Sequence, residues 1–228
     1  VGDRTLPMDG TTWEEYRQAL MLELARSHIV AAARQVNPKA RLVLKFPFWY
    51  DRYQERGYDA VRQSALFDGV RAGVERRDRS LPNEQAQYGA FFLSRWLRDL
   101  AGAKMGGAWI DSLETMERTY VEKSRQAILS GVAETTLFSY GQLQHNYGPQ
   151  DVEALREEIP ELITVAAEVR KRQPLGIAAY KPVGSAPEQE AYIYDFVGML
   201  GLPLVPAHNF PESAPALFLP IQAAADPE

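Results

Sequence analysis

Glu75 and Asp111 each follow a short apolar run, Gly73-Val74 in one case and Ala108-Trp109-Ile110 in the other, so each is expected at the carboxyl end of a β-strand. Neighbouring strands lie about 4.8 Å apart, which brings two such carboxyl groups within reach of one bound molecule. Two carboxyl groups facing a cleft are the minimal equipment for cleaving a glycosidic bond: one protonates the leaving oxygen, and the other attacks or activates water. A separation of about 5–5.5 Å would retain the anomeric configuration and about 6.5–9.5 Å would invert it, and the sequence leaves both open. The work divides only if burial or like charge keeps one group protonated while a cation keeps its partner ionised. Lys45, Arg76 and Arg77 are the candidate cations. The alternative is an ordinary rim ion pair for Glu75 and a helix cap for Asp111. Asp51, just past Trp49-Tyr50, is a third candidate acid, with a solvated loop or helix start as its alternative. Asp78 reads as a solvated charge and Asp68 as a turn residue.

Aromatic residues recur at the same strand ends: Trp49, Tyr50, Trp109, Tyr140 and Tyr180. A flat apolar face with a polar tip suits the faces and hydroxyl edges of a sugar ring. Their alternative is core packing, which is favoured for Trp109 inside its strand. Lys45 and Lys181 also fall at strand ends. With no phosphate cradle and no second activating group, a substrate hydrogen bond ranks above a Schiff base for either. Lys45, Trp49, Tyr50, Arg77, Tyr140, Tyr180 and Lys181 are therefore the expected sugar-binding set. The three histidines, His28, His145 and His208, show no ligand spacing, so neither a metal nor a cofactor is expected. Nucleotide-binding glycine loops and the Gly-x-Ser-x-Gly elbow are absent.

Short apolar runs alternate with helical patterns, which predicts a parallel sheet covered by helices. Thr12 and Glu15 have capping-box spacing, opening a helix that runs to Asn37-Pro38. A strand is expected at 41–46, helices from Pro82 through Leu100, over 113–129, from an Asp151 cap to about Arg170, and over 188–200. A strand at 202–205 brings the expected total to six. Chemistry grouped at successive strand ends is how a TIM-type (β/α) barrel builds its site. A full barrel takes about 250 residues, so this chain is expected to be an incomplete one of about six βα units, lacking N-terminal strands. One barrel domain is expected over 1–228, with 213–228 the start of a following domain.

The 228 residues carry a formal charge of −5 with both signs interspersed, which gives no phosphate-binding footprint and argues against a nucleic-acid partner. No run approaches the roughly 18 apolar residues of a membrane span. The absence of cysteine excludes disulfides and thiolate chemistry but leaves the compartment open; secretion or a periplasmic location fits if a leader is missing.

The motifs Asn37-Pro38, Lys45-x-Pro47-x-Trp49-Tyr50, Phe67-Asp68-Gly69-x-x-x-Gly73-x-Glu75-x-Arg77-Asp78, Gly106-Gly107-x-Trp109-x-Asp111 and Tyr180-Lys181-Pro182 resemble a group of bacterial glycoside hydrolases. That group commonly has Thr where this chain has Val74 and Arg76. The resemblance covers most of the chain and implies a barrel that begins upstream with an Asp-Asp strand end. It also implies a following domain similar to class I amidotransferases, with homo-oligomerisation through that domain as an option. The expected function is carbohydrate hydrolysis. A non-catalytic carbohydrate-binding barrel and a lysine-dependent aldolase or lyase are the rivals.

Overall fold

A computed structural model of the chain describes residues 10–78, 87–184 and 193–220. Thr12 and Glu15 close the expected capping box, with Glu15 N donating to Thr12 Oγ1 (3.2 Å) and Thr12 N to Glu15 Oε2 (2.6 Å). Helix α1 (Trp13–Leu24) continues through a π-helical stretch, Ala25–Val30, into α2 (Ala31–Val36). It docks on the turns after β1 through Arg17 Nη1 to Glu55 O (2.7 Å) and Gln18 Nε2 to Tyr58 O (2.8 Å).

Four strands follow in parallel and in sequence order: β1 (Val43–Phe46), β2 (Gly69–Val74), β3 (Met105–Ile110) and β4 (Glu134–Leu137). Their connecting helices are α3 (Ala60–Leu66), α4 (Gly89–Ala101) and α5 (Glu117–Leu129). Side chains alternate across a strand. Phe46, Val70, Ala72, Val74, Ala108 and Ile110 are accordingly buried in the core that the helices cover. Lys45, Arg71, Gly73, Trp109 and Thr136 share the opposite, open face, as the register pairs Lys45 with Arg71, Gly73 with Trp109 and Trp109 with Thr136. Gly73 is required there, because a Cβ would sit 2.8 Å from Trp109 Cζ2 and 3.0 Å from Phe46 O.

Beyond β4 come α6 (Tyr140–Leu143), α7 (Gly148–Val169), β5 (Ile177–Tyr180), α8 (Ile193–Met199), β6 (Leu204–Ala207) and β7 (Leu217–Phe218). Strands β5, β6 and β7 form a second parallel sheet with β5 in the middle. This sheet meets the first across α4, which packs on β2 and β3 and also on β6 and α8. Tyr88 OH approaches Leu204 O (3.5 Å) at the start of α4, and His208 N donates to Asp99 Oδ2 (2.8 Å) near its end. Strand β6 therefore runs in the direction of α4 and opposite to β2. Trp96, fully buried, joins the layers by donating from Nε1 to Lys181 O (2.9 Å).

The parallel α/β expectation thus holds, while the described strands form two sheets rather than one cylinder. There are seven of them among the described residues; Leu217–Phe218, read as opening a following domain, pairs with β5. Helix α3 was not anticipated, α5 begins at Glu117 rather than 113, and Asp151 lies inside α7 rather than capping it. The expected helix starts at Pro82 and 188 fall outside the described residues, as do 221–228.

One buried ion pair ties the end of β2 to α8. Arg76 Nη2 lies 3.0 Å from Asp195 Oδ2 with both side chains fully buried, and Tyr50 OH donates to Asp195 Oδ1 (2.9 Å). Gly89 opens α4 against this pair: a Cβ there would fall 1.8 Å from Arg76 Nη2. Burial pushes the Asp195 carboxyl up to about 6, against the pull of Arg76 and the Tyr50 hydrogen bond. Removing one partner of a buried pair typically costs about 3–5 kcal/mol. Arg76→Met should lose that much stability at pH 8 in denaturant unfolding. A carboxyl raised in the folded state gives its stability below its ordinary pKa and loses it as pH rises through the folded value. The Arg76→Met deficit should therefore shrink near pH 5, where Asp195 is protonated. A deficit that is the same at both values would contradict this account.

Candidate active site

Because Val74 is in register with Ile110, the next residues, Glu75 and Asp111, lie side by side just past the two strand ends. Alternation sends both toward the open face and sends Arg76, between Glu75 and Arg77, toward the helices. Asp111 is nearly buried, at 4 % exposure. Its Oδ1 accepts from Arg77 Nη1 (2.7 Å) and from Lys123 Nζ (3.1 Å), and Lys123 also donates to the Asp111 carbonyl (2.9 Å). Arg77 is held in place by a second bond to Leu113 O (3.0 Å). Helix α5 has no side-chain cap, so Asp111 is a doubly paired carboxylate rather than a helix cap.

Glu75 is half-buried and differs from its neighbour electrostatically. Burial first, and the Asp111 charge second, push its carboxyl above the ordinary range, while Arg77, Lys123 and Lys45 pull it down. Burial lowers the Lys123 ammonium to about 8, with Asp111 holding it up. Lys123 was missed from sequence because it sits within a helix. Its signal was a lysine on the buried stripe Tyr120, Ser124 and Ala127 of α5. Asp78, read as a solvated charge, instead accepts from Thr119 Oγ1 (2.6 Å). Asp68 joins Leu42 N (2.9 Å) and Arg34 (2.8 Å), stapling α2 to the sheet.

On the same face, the Lys45 ammonium lies 4.6 Å from the ring centres of both Trp109 and Phe138, which meet edge to face at 5.0 Å. Arg71 pairs with Glu134 across Gly107, where a Cβ would come within 2.9 Å of Arg71 Cδ. Trp109 thus belongs to the open face and not to the helix-side core.

Other expected residues lie elsewhere. Tyr50 is buried against Phe92 and Trp96 on the helix side. Asp51, at 4 % exposure in the 3-10 turn Tyr50–Arg52, holds up the ammonium of Lys181, which burial lowers to about 8. Lys181 Nζ lies over Trp96 (4.8 Å) and Tyr50 (5.6 Å). Tyr180 packs edge-on against Phe210 at the end of β5. Trp49 packs against Tyr53 and Tyr58 beneath Arg56, and Tyr140 is 78 % exposed at the start of α6. The expectation of one shared rim therefore fails for Tyr50, Asp51, Tyr180 and Lys181. The turn after β1 folds over α4, and β5 belongs to the sheet on the far side of that helix. The open face keeps Glu75, Asp111, Arg77 and Lys45 together.

Comparison with known proteins bears on the chemistry. An uncharacterized protein of the archaeon Saccharolobus solfataricus is 24 % identical over 207 residues, covering 87 % of this chain and 34 % of that protein. The chain thus spans about a third of the length of the curated relative it matches, which is archaeal whereas the resemblance pointed to a bacterial group. No solved structure matches the chain. Residues 5–159, which contain β1 to β4 and both paired carboxyl groups, match the family model described as probable glycosyl hydrolase, catalytic domain, and the chain belongs to that family.

Proposed function

We propose that the open face of the first sheet is a glycoside-hydrolysing site, with Glu75 as general acid and Asp111 as its ionised partner. The observation that carries this reading is the asymmetry between two adjacent carboxyl groups. Glu75 has its protonated form favoured by burial and by Asp111, while Asp111 is bound by two cations. That is the division of labour that acid-assisted glycoside cleavage requires. Glu75 would protonate the glycosidic oxygen as the C–O bond breaks. Asp111 Oδ1 is engaged by Arg77 and Lys123, which leaves Oδ2 to attack the anomeric carbon or to deprotonate water. Membership in a glycosyl hydrolase catalytic family supports a carbohydrate substrate.

The open face is further proposed as the inner wall of a TIM-type barrel. Support comes from the parallel β/α alternation and from β1 and β4, whose outer edges carry no strand among the described residues. In that arrangement other segments of a longer protein would line the cleft opposite Glu75. A second reading follows from the engagement of Asp111 Oδ1: the residue would then only orient Arg77, and the face would bind sugar without turning it over.

Mutagenesis separates the two readings. Glu75→Gln and Asp111→Asn should each lower kcat by about 10²–10⁴-fold with KM little changed, assayed on 4-nitrophenyl glycosides with the longest available form of the protein. A wild-type protein that binds sugar but cleaves no glycoside, with binding that survives both substitutions, would favour the second reading. The acid role also fixes a pH sense. Activity should fall as pH rises through the elevated Glu75 pKa, and Glu75→Gln should abolish that limb. A substrate-free check uses carboxyl ¹³C NMR. Lys123→Met removes a cation that lowers Glu75, so the Glu75 titration should move upward; no movement would contradict the electrostatic coupling.

A further inference from the structure

Among the described residues, two of the cations on the open face are paired with acids. Arg71 pairs with Glu134, and Arg77 pairs with Asp111. Lys45 forms no ion pair among the described residues; its ammonium is held over the Trp109 and Phe138 rings at 4.6 Å from each. Cation–π contacts at an exposed position are worth only about 0.5–1 kcal/mol, so they place this charge without satisfying its three donors. A second donor on the face also goes unmet. Trp109 Nε1 is buried, in a residue only 9 % exposed, and has no acceptor among the described residues. Closed off from solvent, that N–H offers a ligand no contact while the rings keep these positions, and the unmatched charge of Lys45 is what the face presents.

An ammonium only donates, so its complement is a group that accepts. A carboxylate or sulfate fits that description, and a charge-assisted bond to Lys45 would be roughly twice as strong as a neutral one. A sugar hydroxyl meets the same donor without neutralising the charge. We infer that the substrate is an acidic carbohydrate whose anionic group binds Lys45 above the Trp109–Phe138 floor, beside the scissile bond. The inference rests on the reading of this face as a glycoside-hydrolysing site, and it narrows the substrate class.

The test compares 4-nitrophenyl glucuronide, glucoside 6-sulfate and glucoside, in both anomers, on the wild type, Lys45→Met and Lys45→Arg. The wild type should favour an anionic substrate over the neutral one by at least about tenfold in kcat/KM, which corresponds to about 1.4 kcal/mol. The favoured anion identifies the group as carboxylate or sulfate. Lys45→Met should bring the ratio near one and Lys45→Arg should restore part of it. In parallel, D-glucuronate, glucose 6-sulfate and D-glucose are titrated by NMR into Glu75→Gln, which separates recognition from turnover. If no glycoside is cleaved but an anionic sugar binds through Lys45, the hydrolase reading fails while the anion-recognition half of this inference stands. Equal treatment of anionic and neutral sugars, binding of neither, or an anion preference that survives Lys45→Met overturns it.

Discussion

The end of β2 is constrained by alternation: of three consecutive charged residues, the middle one must point opposite to its neighbours. Arg76 goes inward, where Asp195 meets it in a fully buried cluster that Tyr50 completes by donating to Asp195. Glu75 and Arg77 are thereby turned outward together. A slip of one residue would bury Glu75 among apolar side chains and expose Arg76, so the ion pair with α8 acts as a register pin for the candidate site. Buried pairs add little net stability over apolar packing, but losing one partner leaves an uncompensated buried charge that costs about 3–5 kcal/mol. Gly89 completes the arrangement by letting the start of α4 approach the pair.

Electrostatics on the open face follow from that pin. Arg77, once outward, reaches Asp111, and Lys123 reaches the same oxygen from the helix layer. Asp111 thus has two cations, and Glu75 is left half-buried beside a negative neighbour. Two carboxyl groups of ordinary chemistry are made unlike by position alone. The aromatic floor of Trp109 and Phe138 depends on a separate backbone condition, the missing side chain at Gly73 over which the indole lies.

What the sequence revealed was local. Apolar runs ending in acids located Glu75 and Asp111 on adjacent strands, and the Thr12–Glu15 spacing located the first helix. Relations between distant segments were not legible. Nothing in the run Ile177–Tyr180 shows that its strand packs on the far side of α4, so Tyr180 and Lys181 read as rim residues when they are not. Asp51 misled for a similar reason, since a polar run after a strand looks the same whether the turn folds over the helices or over the open face. Lys123 was recoverable in principle from its place on an apolar helical stripe. Its pairing with Asp111 was not, because a buried lysine announces only that some acid must be near.

The central claim is that Glu75 and Asp111 face a common, accessible cleft. The most direct measurement is an experimental structure of the protein with a non-hydrolysed glycoside bound. The account predicts the ligand on the open face of β1 to β4, with the two carboxyl groups about 5–9.5 Å apart on either side of its glycosidic oxygen. Carboxyl groups that diverge, or a face sealed by another part of the chain with the ligand elsewhere, would contradict it.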